Sequence, residues 1–204
     1  MARTYGQFCA LARSLDHVGD RWTLLIVREL LLGPARYASL LEALPGVPTN
    51  LLADRLRQLQ ADQLVRKRGG RNGRYELTDL GRGLEGPIAA FIRWGAVWMI
   101  PGPADDRFDS RWLALAVRAL LDGPCSPGRT GVVELRAGDQ HLTITLRGRR
   151  RRVELRSADD ADACLETDPL TALALAGGRR ALRSPGDDLR VEGDEALVEA
   201  AFRS

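Results

Sequence analysis

Arg66, Lys67, Arg68, Arg71 and Arg74 put five cations within nine residues, with Glu76 the one carboxylate close by. Guanidinium groups are planar, always charged and fork-shaped, which suits them to phosphate oxygens. Crowded on one short ribbon they repel each other, so an anion among them would relieve a real cost. Other reactive side chains do not assemble in this way. His17 and His141 lie far apart, and Cys9, Cys125 and Cys164 form no Cys-x-x-Cys pair. No phosphate loop or nucleophile motif occurs either. Neither a zinc site, a disulfide framework nor a cofactor is expected. The chain is expected to bind an anion rather than to be an enzyme.

The ribbon reads as a hairpin. Residues 64–68 and 74–77 alternate like strands around Gly69-Gly-Arg-Asn-Gly73, and Asn-Gly is a strong turn signal. Helices precede it. Residues 9–18 set Leu11, Leu15 and Val18 on one face. Residues 21–32 follow, with Asp20 as cap, Gly33-Pro34 as stop, and Trp22, Leu25, Ile26 and Leu30 as buried stripe. The next helix covers 37–44, and Pro45-Gly-Val-Pro48 turns the chain. A further helix over 50–60 points Leu52, Leu56 and Leu59 inward. That leaves Asn50, Ala53, Asp54, Arg57 and Gln58 outward, with Arg55 at the margin.

Two short helices joined by a tight turn form a helix-turn-helix, whose second helix offers its first residues to base edges in the major groove. Behind it, a basic wing fits phosphate or a narrow minor groove. Alone, the hairpin could equally be a solvated loop. Residues 84–99 carry Ile88, Phe91, Ile92, Trp94 and Trp98 in a chain that is only 5% aromatic. Such a helix either packs within its own domain or pairs with a second copy, and operators are commonly two-fold.

Length and composition agree with this reading. The 204 residues are 45% apolar, enough for one large folded domain or two small ones. No apolar run is long enough for a membrane span, and no secretory leader is evident, so a soluble cytoplasmic protein with no membrane partner is expected. The net charge of +3 is uneven. Residues 1–100 hold 14 basic and 9 acidic side chains (+5), while residues 101–204 hold 16 and 18 (−2). A basic first half suits a polyanion. Ile100-Pro-Gly-Pro-Ala-Asp-Asp106 reads as a linker, giving domains 1–100 and 110–204 joined by 101–109.

The first half resembles the HxlR family of bacterial winged-helix regulators over about residues 8–98. Its carriers are Cys9, Gly19-Asp-Arg-Trp-Thr-Leu-Leu-Ile-Val-Arg28, Gly33-Pro-Ala-Arg-Tyr37, Leu44-Pro-Gly-Val47, Leu52-Ala-Asp-Arg-Leu-Arg57, Leu64-Val65 and Tyr75-Glu-Leu-Thr-Asp-Leu-Gly81. The resemblance implies a homodimer, paired through its terminal helices with Phe91, Trp94 and Trp98 at the contact, on a near-palindromic DNA operator. It implies that Thr49, Asn50, Asp54, Arg55 and Arg57 lie at the groove, with Arg36 near phosphate. It makes Arg68, Arg71 and Arg74 the wing contact. Asp54 departs from many relatives; it either accepts from a cytosine amino group or pairs with Arg57 or Arg55. Some relatives sense oxidants through a cysteine at the position of Cys9, although the proline usual after it is Ala10 here. Arg13, one turn on, could support a thiolate. The other reading is a small buried thiol at the dimer interface.

In the second half, an apolar helix over 111–121 leads into strands 132–136, 141–147 and 153–156 with turns at Gly138-Asp139 and Gly148-Arg149. Asp168-Pro169 opens another helix. A last strand at 189–191 precedes a helix that starts at Gly193-Asp194. The run Arg149-Arg-Arg-Arg152 reads as a solvated hairpin end, or as a contact for DNA flanks or an anionic ligand. This order resembles the sterol-carrier-protein-like domain, through the meander, Thr167-Asp-Pro-Leu-Thr-Ala-Leu173 and Leu189-Arg-Val-Glu-Gly-Asp194. The resemblance implies an apolar tunnel between sheet and helices for a small apolar or aromatic effector. Alternatively, a filled core serves dimerisation alone. The fold class is thus α+β: a winged helix-turn-helix domain, then a sterol-carrier-protein-like α/β domain with an antiparallel sheet. The leading function is an operator-binding transcriptional regulator under effector control. The alternatives are a small-molecule or lipid carrier with a dimerising N-terminal half, or redox sensing through Cys9.

Overall fold

A computed structural model describes residues 4–70, 72–99, 106–125, 128–182 and 189–203. The chain divides into two compact units, Met1–Ile88 and Ala89–Ser204. Most of the expected linker, at 101–105, lies outside the described residues. The division between units falls upstream of it, where Arg93 Nη1 donates to Ala119 O at 2.9 Å and ties the residues after Ile88 to the second unit.

The first unit opens with α1 (Ala10–Val18), α2 (Thr23–Leu31), β1 (Ala35–Arg36), α3 (Tyr37–Ala43) and α4 (Thr49–Ala61). Then come β2 (Val65–Arg68), β3 (Arg74–Leu77) and α5 (Asp79–Arg82); α6 (Glu85–Gly95) begins in this unit and continues past Ile88 into the second, where it runs into a 3-10 turn at Ala96–Met99. Ile26, Leu30, Leu40, Leu44, Leu52, Leu56, Leu59 and Leu77 are fully buried. Those within α2, α3 and α4 recur at the 3.6-residue period of a helix, and Leu77 closes the core from β3.

Two local expectations fail. Trp22 takes a left-handed backbone (φ 80°), so α2 starts at Thr23 and Asp20 does not cap it. The Asp20 carboxylate instead meets Arg55 Nη1 at 2.7 Å. Leu25, expected in the buried stripe, is 40% exposed, while Ile26 and Val27 fill the core. Leu11 and Leu15, on one face of α1, are exposed.

The Thr78-Asp-Leu-Gly81 segment fixes the exit from the wing. Thr78 caps α5 by accepting from Gly81 N at 3.1 Å, and its hydroxyl donates to Gln63 O at 2.6 Å. Any Cβ at Gly81 would stand 2.0 Å from Leu64 O, so the backbone approach there requires glycine.

In the second unit, α7 (Ser110–Leu121) leads to β4 (Gly123–Pro124), β5 (Gly131–Ala137), β6 (Gln140–Arg147), β7 (Arg150–Glu154) and β8 (Ala163–Thr167). The chain ends through α8 (Pro169–Ala176), β9 (Arg190–Gly193) and α9 (Glu195–Phe202). Asp168 accepts from Leu170 N and Thr171 N, and Asp194 from Leu197 N, so the two expected helix starts are true side-chain caps. Val133, Leu135, Leu142, Ile144 and Leu165 pack against Val117, Leu121, Leu175 and Val198 from the helices.

The sheet has the order β4-β7-β6-β5-β8-β9 and is mixed rather than antiparallel, because β8 lies parallel to β5. Hairpin turns dictate antiparallel pairing only for β5, β6 and β7, which follow one another directly. After β7 the chain crosses to the free side of β5. There Asp162 accepts from Val132 N at 2.8 Å and donates its own N–H to Val132 O at 2.9 Å. That clamp aligns the start of β8 with the start of β5, so both run the same way.

The arginine run also departs from expectation. β7 begins at Arg150, so the run is part of a strand, and alternation turns Arg151 into the core at 4% exposure. Its Nε donates to Leu121 O and its Nη1 to Ala201 O at 2.7 Å and Arg203 O at 3.2 Å. These carbonyls belong to the ends of α7 and α9, where unsatisfied acceptors and the negative end of the helix dipole meet a cation.

Candidate nucleic-acid interface

The wing is a three-stranded sheet with the order β1-β3-β2. The strand β1 is two residues long, too short to show any alternation. Its pairing with β3 has a consequence for charge. Arg36 stands opposite Arg74, and Arg74 stands opposite Arg68, so three arginines line up across three strands. Like charges directly opposite each other destabilise a sheet.

Compensation along this row is uneven. Glu76 accepts from Arg68 Nε and from Arg66 Nε at 2.5 Å, and these two cations hold its carboxyl below the usual range. Lys67 lies 5.4 Å from the centre of the Tyr75 ring. Arg36 and Arg74 are exposed and have no acidic partner among the described residues. Arg71, expected in the wing contact, lies outside the described residues.

Helix α4 stands beside the wing in sequence. Thr49, Asn50, Asp54 and Arg57 are all exposed on it. Tyr37 Oη donates to Thr49 O at 2.7 Å and so anchors the start of α4 to α3. Asp54 and Arg57 form an ion pair one turn apart. Exposed pairs of this kind contribute only about 0–1 kcal/mol, so either partner can leave it for a better one. Arg55 is half-buried and held by Asp20, unlike its outward neighbours.

The remaining expected residues lie elsewhere. Phe91, Trp94 and Trp98 are 56%, 67% and 66% exposed, and the two indoles meet edge to face with centroids 4.7 Å apart. Cys9 is exposed at the N-cap of α1. The backbone N–H groups of Ala12 and, less strongly, Leu11 hold its thiol below the usual range; Arg13 instead pairs with Asp16. Burial pushes the Cys164 thiol up. Cys9 is therefore expected to react with iodoacetamide several-fold faster than Cys164 near neutral pH. Peptide mass spectrometry at short labelling times measures this, and equal rates would contradict it.

The likeness to known proteins lies in this half of the chain. The HxlR-like helix-turn-helix profile matches residues 17–102. The uncharacterised HTH-type transcriptional regulator sll1512 of Synechocystis is 32% identical over 98 residues, a match spanning 46% of this chain and 73% of that protein. The chain belongs to the HxlR family. It is a bacterial helix-turn-helix transcriptional regulator of the HxlR type, and the likeness lies in its N-terminal half. This HxlR-type chain is 37% identical to the Mycobacterium tuberculosis regulator Rv3095 over 90 residues, spanning 42% of itself and 56% of that protein. It is 27% identical to the crystal structure of the reduced Bacillus subtilis regulator YodB, covering 47% of this chain and 99% of that one, with a TM-score of 0.40. Among the described residues no helix is long and apolar enough to cross a membrane.

Proposed function

We propose that this HxlR-type regulator binds a near-palindromic operator as a homodimer, with α4 in the major groove and the arginine row on phosphate. The observation that carries the reading is the alignment of Arg36, Arg74 and Arg68 across the wing with only Arg68 neutralised. Thr49 and Asn50, at the start of α4, take the base edges. Arg57 exchanges Asp54 for the DNA. Arg55 acts through Asp20 to set the angle of α4 rather than reading a base. Arg71 adds to the wing contact. The exposed aromatics Phe91, Trp94 and Trp98 supply the surface on which a second copy packs.

Fluorescence anisotropy with the DNA upstream of its own coding sequence tests this. The expected result is salt-sensitive binding that prefers one site over random duplex. Asn50→Ala should weaken that site by on the order of 10-fold or more, with little effect on random DNA. Equal losses on both would remove Asn50 from base recognition. Absence of any salt-sensitive binding would remove the DNA reading altogether.

For the second unit, the reading is a sterol-carrier-protein-like domain that senses a small apolar or aromatic effector. The space between its sheet and helices is packed with side chains. The candidate pocket lies beside α8 and α9, a cleft of about 360 Å³ that includes Leu175, Leu182, Phe202 and Arg180. An effector there acts only if it binds one dimer geometry better than the other. A carrier role, or redox control through Cys9, is the second reading. Exposure and the lowered thiol favour the redox form of it. Loss of DNA binding on peroxide treatment that Cys9→Ser prevents would establish that role.

A further inference from the structure

We propose that the corner formed by Arg147, Arg149 and Arg150 is a second DNA contact, taking backbone phosphates without regard to sequence. This rests on the DNA reading of the wing. In register, Arg147 at the end of β6 stands opposite Arg150 at the start of β7. Gly148, in the left-handed region at φ 63°, closes the turn between them, and Arg149 completes it. All three are exposed, and alternation puts Arg147 and Arg150 on the sheet face away from the helices. Arg152 continues that row two residues on, about 6.6–6.8 Å along the strand.

The contrast with the rest of the unit gives the corner its meaning. Arg136 meets Glu134 at 2.7 Å, Arg190 meets Glu192 at 2.9 Å, Arg129 meets Asp194 at 2.8 Å and Arg156 meets Glu154 at 3.4 Å. Even Arg152 has Glu154 at 3.6 Å. At Arg147, Arg149 and Arg150 there is no carboxylate partner among the described residues. Instead two guanidinium groups oppose each other directly, at a cost in sheet stability. The wing shows the same device, with Arg36 opposite Arg74 and no acid beside either. A chain that pairs its other exposed sheet arginines with carboxylates keeps these two rows open for the same kind of polyanion. Duplex DNA presents one charge per about 1.7 Å of axis, dense enough to serve both.

The test uses the full chain with Arg147→Gln, Arg149→Gln and Arg150→Gln combined, and anisotropy on a random-sequence duplex and on the upstream DNA. These side chains are exposed and their removal relieves an opposed like-charge pair, so a thermal midpoint that holds or rises is expected and checks the fold. Three lost phosphate contacts lower the slope of log K against log salt by about 2.7 per chain. Between about 50 and 200 mM salt the parent then loses about 40-fold more affinity than the variant for each chain of the bound dimer. The change should be equal on both duplexes, with site preference intact. If slope and affinity stay at the parent's values while a wing variant loses binding, the corner does not touch DNA and the wing reading stands. If the parent binds neither duplex, both readings fall. If DNA binding is unchanged but binding to phosphatidylglycerol vesicles is lost, the corner is a lipid contact and the proposal is overturned.

Discussion

Replacing Arg36, Arg68 and Arg74 together by glutamine should lower affinity for duplex DNA by on the order of 100-fold at physiological salt. The slope of log K against log salt should fall by about 2.7 per chain. The magnitude follows from the geometry. These residues lie in register on β1, β3 and β2, so one phosphate backbone can pass along all three. Removing them relieves a like-charge row, so the folded unit should not lose stability, and its thermal midpoint is expected to hold or rise. That combination separates a binding role from a structural one. Weaker DNA binding accompanied by a lower melting temperature would mean that the row supports the fold. Unchanged binding would mean that phosphate is contacted elsewhere. Arg68 alone should count for least, since Glu76 already neutralises part of its charge.

The second large effect is on stability. Arg151→Met should destabilise the C-terminal unit by about 3–5 kcal/mol, a drop of roughly 12 °C or more in its melting transition. The methionine fills much of the volume but leaves the carbonyls of Leu121, Ala201 and Arg203 without their donor in a buried place. Each orphaned acceptor costs about 1–3 kcal/mol. Arg151→Lys should recover only part of the loss, because one ammonium cannot reach the ends of two helices as a planar fork can. Differential scanning calorimetry on the full chain measures both variants. A shift within about 2 °C for Arg151→Met would show that water serves those carbonyls equally well.

The two predictions differ in how far the sequence exposes them. Cations crowded around an Asn-Gly turn are visible as a string, and so is the alternation on either side of it. The arginine row is not visible, because it needs β1, two residues with no alternation to detect, and the register that sets Arg36 against Arg74. Arg151 is hidden for a related reason. Four arginines in succession look uniformly solvated, and only the point at which β7 begins decides which of them faces the core. That start is fixed by pairing with β6 and β4, not by local preference.

Helix starts show the same division. Asp168 and Asp194 cap α8 and α9 as their spacing implies, because a cap is a contact within one turn. Asp20 has the right type and position before an apolar run, yet pairs with Arg55, thirty-five residues away in the chain. The left-handed Trp22 backbone displaces the helix start, and no local rule would place a tryptophan there.

By itself the sequence determined the winged helix-turn-helix, its apolar core, the basic hairpin and the chain's place among HxlR-type regulators. Each depends on short-range periodicity, turn chemistry or residue order. Tertiary structure alone decided which arginines are neutralised, which one is buried, and that β8 runs parallel to β5. Those outcomes depend on strand register and on partners distant in the chain, where one residue of slip moves a side chain from solvent to core.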